Sequence, residues 1–152
     1  MDGADTAGGR EVITFRVGTQ EFCADVTSVR EIRGWTPAMP FPQAAAHVRG
    51  VINLRGEVLA IMDLSARLGL GDADPTARHV IMVAEIGKSS LGLLVDEVSD
   101  ILTITDDMVQ PPPDVADETV QALVKGVISL EERMISLLRL DDLAPRRMAD
   151  AA

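Results

Sequence analysis

Cysteine is almost missing from this chain: Cys23 stands alone, so no internal disulfide can form. Histidine is nearly as scarce, and His47 with His79 makes no ligand set for a closed zinc site, so neither a metal nor another cofactor is expected. Both also stand at strand borders, where a solvated imidazole is a commoner reading than the base of a nucleophilic site. Tyrosine is absent and aromatics amount to 3%, which removes the stacking platforms used for bases and sugars. Basic residues are the minority, 14 Lys plus Arg against 24 Asp plus Glu, and the net charge of -10 disfavours nucleic acid as a partner. No apolar run approaches ~18 residues, and the opening MDGADTAGGR is small and acidic where a secretory signal would be basic and then apolar. Membrane insertion and export are therefore not expected, and one thiol suits a reducing cytoplasm. Nucleotide binding finds no support either, since Gly69-Leu70-Gly71 lacks the further glycine and the lysine of a phosphate loop.

What the chain has in quantity is aliphatic surface to bury. At 152 residues and 47% hydrophobic it can form one compact domain or two small interlocked ones. Its apolar frame is used twice. Val48 to Leu64 reads VRGVINLRGEVLAIMDL, and 76 positions later Val124 to Leu140 reads VKGVISLEERMISLLRL. An earlier stretch repeats at an offset of 69, matching Gly18 with Gly87, Phe22 with Leu91, Val26 with Val95, Val29 with Val98 and Ile32 with Ile101. Seven extra residues in the second copy's proline-rich loop account for the growth from 69 to 76.

Within the first copy, Glu11 to Val17 and Glu21 to Val26 are β-branched and apolar around Gly18-Thr19-Gln20, a hairpin pattern. Val26, Val29 and Ile32 fall three apart, which predicts a short helix or helical turn over Thr27 to Arg33. Pro37, Pro40 and Pro42 then impose a loop, anchored by Trp35 and Phe41. Val48 to Leu54 and Glu57 to Leu64 form a second hairpin broken at Arg55-Gly56, a turn of helix is expected over Ser65 to Leu70, and Gly69 to Thr76 connects the copies. The second copy repeats the plan from His79, with Pro111-Pro112-Pro113 inside the loop Thr103 to Thr119. Units of about 60 residues are marginal alone, and closing a sheet removes its exposed edges. The pattern therefore predicts a mainly β chain: two SH3-like barrels, about 11–70 and 77–143 with strand exchange allowed, packed as a single domain over 11–147. Residues 1–10 and 148–152 lack periodicity and read as tails.

Candidate chemistry is thin. Cys23, beside Phe22, reads as a small core residue, and the seven scattered methionines as gap fillers. Asp25, Asp63 and Asp96 sit at strand ends, where aspartate commonly caps the next turn. A small carboxylate hydrolase or ligand-binding barrel using Asp63 and Asp96 is the enzymatic alternative. Differences between the copies say more. Asn53-Leu54-Arg55-Gly56-Glu57 stands opposite Ser129-Leu130-Glu131-Glu132-Arg133, so the fold does not require Arg55, whose forked guanidinium suits a partner surface. Asn53 and Gly56 are equally well explained as turn residues. Arg30-Glu31-Ile32-Arg33 stands opposite Ser99-Asp100-Ile101-Leu102 and reads as an ordinary charged face unless it approaches Arg55.

Taken in order, VREIRG (Val29 to Gly34), VRGVINLRGEVLAIMDL, GLLVDEVSDIL (Gly92 to Leu102) and the triple proline resemble CheW, the chemotaxis coupling family, from about Glu11 to Leu143. The resemblance implies two five-stranded β-barrel subdomains and a cytoplasmic, non-enzymatic adaptor in receptor clusters. Its partners would be the cytoplasmic tip of chemoreceptors, the CheW-like regulatory domain of the histidine kinase CheA, and other copies in rings. Carried over onto this sequence, Val29, Asn53 and Arg55 would serve the receptor, Val26 and Ile32 the kinase, and Glu31 with Arg55 a salt bridge linking the two surfaces. Ala60 stands where many relatives have proline, which bears on local stiffness. No receiver domain follows Leu143 as in CheV, and no kinase domains are present as in CheA. A pilus or gliding array would use the same adaptor, and the sequence does not separate these pathways.

Overall fold

The computed structural model describes residues 9–42, 44, 46–113 and 118–143. Eleven strands run in chain order: β1 (Arg10–Val17), β2 (Gln20–Asp25), β3 (Val29–Gly34), β4 (Val48–Leu54), β5 (Glu57–Asp63), β6 (Val80–Ile86), β7 (Ser89–Val95), β8 (Glu97–Ile104), β9 (Val109–Gln110), β10 (Val124–Leu130) and β11 (Arg133–Leu138). They build two sheets, ordered β8-β1-β2-β11-β10-β9 and β3-β6-β7-β5-β4. Each sheet draws on both repeats. The first hairpin, β1-β2, leaves its own copy to pair with β8 and β11, and β6-β7 pairs in turn with β3 and β5. The joins β2-β11 and β5-β7 are parallel, with Cys23 opposite Leu137 and Gly92 opposite Ile61.

This exchange explains why the hairpin sequences are apolar almost throughout rather than alternating, because both of their faces are buried. Val12, Cys23, Ile104, Ile128, Ile135 and Leu137 fill one sheet's interior, and Leu54, Leu59, Ile61, Ile81, Val83 and Leu94 fill the other's. The alternate side chains of the same strands, including Ile13, Phe15, Phe22, Met82, Leu91 and Leu93, form a third core.

Three expectations need correction. Thr27 to Arg33 is not helical: a single 3-10 turn at Val26–Ser28 leads into β3. Val29 pairs with Ala84 and Glu31 with Val83, so Arg30 is an extra residue, a bulge. The bulge keeps Val29 and Ile32 on one face at a spacing of three, which imitates a helix. The second proline loop is also not bare. It holds a 3-10 turn at Asp106–Met108, then β9, and after residues 114–117, which lie outside the described set, a helix at Glu118–Leu123. Because β9 pairs with β10, that sheet has six strands, while its counterpart has five and an isolated Met39–Val51 bridge. Val51 matches Val127, which faces Gln110, so two extra residues precede the bridge and five follow it, where the helix sits. Finally, Arg10 opens β1, so the N-terminal tail is shorter than residues 1–10; residues 1–8 and the expected tail 148–152 lie outside the described residues.

Gly50 and Gly126 hold equivalent positions where the proline loop crosses the second hairpin. A Cβ on Gly50, at φ +150°, would stand 2.2 Å from the Met39 carbonyl oxygen, and one on Gly126 would stand 2.8 Å from that of Gln110. Gly50→Ala should cost about 1–3 kcal/mol of unfolding free energy in urea titrations. Gly34→Ala, which meets open space, should stay within about 0.5 kcal/mol.

Candidate docking site

The bulge in β3 and the curl of its sheet bring the stretch after Val29 to the tip of the β4-β5 hairpin. At that tip Arg55 (φ +52°) and Gly56 (φ +86°) make the reversal, and the Gly56 amide donates to Asn53 Oδ1 at 2.9 Å. Asn53 thus supports the turn, whatever else it touches. Arg55 forks onto Glu31: Nη2 donates to Oε1, and Nη1 to Oε2 at 3.3 Å. Arg33 Nη1 lies 3.5 Å from the same Oε2. The Glu31 carboxyl is held below the usual carboxylate range, chiefly by the hydrogen bond from Arg55, and Arg55 is shifted upward by the same bond. The pair stands at the surface, with side chains 25% and 58% exposed. It therefore contributes little to stability.

Beside it, the bulged Arg30 reaches Ser90 Oγ at 3.1 Å and lies 3.5 Å from both Glu57 and Glu85. Val29 is half-buried against the core between the sheets, Val26 is half-buried in the 3-10 turn, and Ile32 is exposed on β3. The structure thus joins Glu31 to Arg55 directly, sets Asn53 in the same turn, and places Val26 in the turn before β3 and Val29 and Ile32 in β3 itself.

Asp63 and Asp96, the enzymatic alternative, are engaged in structural work. Asp63 accepts from the amides of Ala66 and Ala73 (3.3 and 2.9 Å) and from Arg49 Nη1 (3.0 Å). Arg49 in turn lies over the Trp35 ring, 5.9 Å from its centroid, tying the proline loop to the connector. Asp96 accepts from the Gly18 amide at 3.1 Å, and Asp25 caps the turn through the Thr27 amide at 3.1 Å. Cys23 is fully buried, and that burial pushes its thiol up to about 12. It is a core residue, not a nucleophile.

Sequence reasoning missed the second barrel's counterpart of the clasp. Asp100, which matches Glu31, is met by Arg133 at 3.6 Å, and Arg133 also forks onto Glu21. Glu21 holds Arg133 upward from its ordinary value. The signal was present in Arg133 standing where the first copy has Glu57. Val58 and Met134 were also passed over. They occupy matching positions, each one residue before a buried Leu59 or Ile135, and are 68% and 64% exposed.

Two sheets sharing a core, with surface ion pairs and exposed apolar side chains at their hairpins, make a mainly β scaffold. The comparisons agree. The CheW-like domain profile matches residues 11–148. The chain is 56% identical over 147 residues to the chemotaxis protein CheW of Rhizobium meliloti, covering 97% of this chain and 95% of that one. It is 52% identical to the probable chemotaxis protein CheW of Rhizobium etli, covering 95% and 94%. Its fold matches the crystal structure of the scaffolding protein TtCheW from Thermoanaerobacter tengcongensis with a TM-score of 0.79 at 27% identity, covering 88% and 91%. The chain belongs to the CheW-like domain family.

A carboxyl held low in the folded state contributes stability above its unfolded value, and that contribution is lost as pH falls through the folded value. Carbon-13 NMR titration should show Glu31 ionising below 4.5, its ordinary value, and moving back up in Arg55→Ala. An unmoved midpoint would remove Arg55 as the cause.

Proposed function

We propose that this chain is a non-enzymatic adaptor that couples the cytoplasmic tip of chemoreceptors to the regulatory domain of the histidine kinase CheA, working in cytoplasmic receptor clusters. The observation that carries the reading is the Glu31–Arg55 clasp, a surface ion pair tied to β3 on one side and the β4-β5 turn on the other. Val29, Asn53 and Arg55 face the receptor in this proposal, Val26 and Ile32 the kinase, and Glu31 joins the two sets through Arg55. A change in receptor packing that pulls on Arg55 would be felt at β3 through the shared carboxylate, so two weak sites become thermodynamically coupled. Other copies of the chain extend the assembly.

Arg55→Glu sets two carboxylates against each other at the clasp. Because the pair lies at the surface, the urea unfolding midpoint should stay close to that of the wild type. Co-sedimentation with receptor-bearing membranes and CheA should nevertheless fall at least tenfold, and Glu31→Arg in the same chain should restore part of it. Wild-type levels of receptor and kinase in the Arg55→Glu pellet would end the assignment.

A further inference from the structure

Each barrel has a corner where β3 or its counterpart β8, the turn of the second hairpin and the hairpin taken from the other copy converge, and an arginine closes both corners. In the second barrel that residue is Arg133 of β11, which forks onto Glu21 of β2 and lies 3.6 Å from Asp100 of β8. The corresponding positions in the first barrel are Glu57, Ser90 and Glu31, so the hairpin brings a carboxylate where its counterpart brings a guanidinium. The cation comes instead from the bulge in β3. Arg30, which matches Ser99 of the second copy, sets Nη1 3.5 Å from Glu57 Oε1 and 3.5 Å from Glu85 Oε2, and donates to Ser90 Oγ at 3.1 Å. The Ser90 hydroxyl donates in turn to Glu85 Oε2 at 3.0 Å.

This relocation changes what is left for the hairpin tip. Arg133 meets Asp100 itself, and Glu131 at the second tip carries the wrong sign to bind that carboxylate. Arg30 turns to Glu57 and Glu85, and the neighbouring Glu31 is left to Arg55 and Arg33. Glu57 is the residue that threatens this division. It stands two positions after Arg55 and acts on its charge, and the approach of Arg133 to Asp100 shows that a side chain at this position comes close to the strand acid. Without Arg30, Glu57 would offer Arg55 a second carboxylate and set a like charge beside Glu31.

We infer that Arg30 is a positioning residue of the clasp: it draws Glu57 into the corner, so that the Arg55 fork has a single carboxylate to seat on. Arg30–Glu57 and Glu31–Arg55 join the same two elements with opposite polarity. Any displacement that brought Arg30 toward Arg55, or Glu31 toward Glu57, would place like charges together. The use of this device in coupling rests on the adaptor reading. Its test needs neither receptor nor kinase, so either can fail alone.

The test is a double-mutant cycle read at the Glu31 carboxyl, titrated by carbon-13 NMR in wild type, Arg30→Ala, Glu57→Gln and the double variant. Both altered side chains lie at the surface, and thermal melts check that each chain folds. Arg30→Ala should raise the Glu31 midpoint by about half a pH unit. Glu57→Gln alone should leave it near the wild-type value, since Glu57 is already held, yet in the Arg30→Ala chain it should bring the midpoint back. Arg30→Lys, which keeps a cation at the corner, should stay closer to wild type than Arg30→Ala. An unmoved midpoint in Arg30→Ala overturns the proposal. So does an additive cycle, in which Glu57→Gln lowers the midpoint equally with and without Arg30, because the summed fields of two independent charges would then account for the data.

Discussion

Everything in this molecule depends on four strands being buried on both sides. In β1, Val12 points into one sheet's interior while Ile13, Phe15 and Val17 point into the core between the sheets. In β7, Leu94 faces one way and Leu91, Leu93 and Val95 the other. Because β1-β2 and β6-β7 have exchanged places, neither repeat can complete its sheet without the other. Detaching one repeat would expose two layers of aliphatic surface and two strand edges at once, so the halves are bound to form together. The two second hairpins and the clasp are therefore held in one frame.

Much of this was legible because duplication supplies a comparison inside one chain. Shared apolar positions marked the strands, and their near-continuous hydrophobicity agreed with double burial. The exchange itself was not legible: the hairpin at residues 11–26 and that at residues 79–95 carry equivalent apolar patterns, so either could pair with either remaining half. The β3 error has a physical origin too. A bulge adds one residue to a period of two, and the resulting interval of three is also the helical one. The contact at Asp100 was missed for a different reason. Its arginine comes from β11, 33 positions later in the sequence, and pairing of that range leaves no local trace.

At the candidate site, the sequence comparison isolated Arg55, and the geometry then satisfied the condition set for Arg30 to Arg33, that the stretch approach it. What sequence could not supply is the fork onto Glu31, because that depends on the curl of a sheet whose edge strands, β3 and β4, lie at opposite ends of the strand order.

Arg55 sits at a positive φ that side-chain-bearing residues adopt at a cost of about 1 kcal/mol, and such a feature invites a reading as strain kept for function. The second copy argues otherwise. Glu131 occupies the matching position at φ +55°, with the opposite charge. Gly50 and Gly126, and the bulged basic residues Arg49 and Lys125, repeat in the same way. These backbone features belong to the duplicated fold and were inherited by both halves. Divergence has acted on side chains set on a shared main chain, so whatever distinguishes the two hairpin surfaces lies in charge and shape rather than in stored backbone energy.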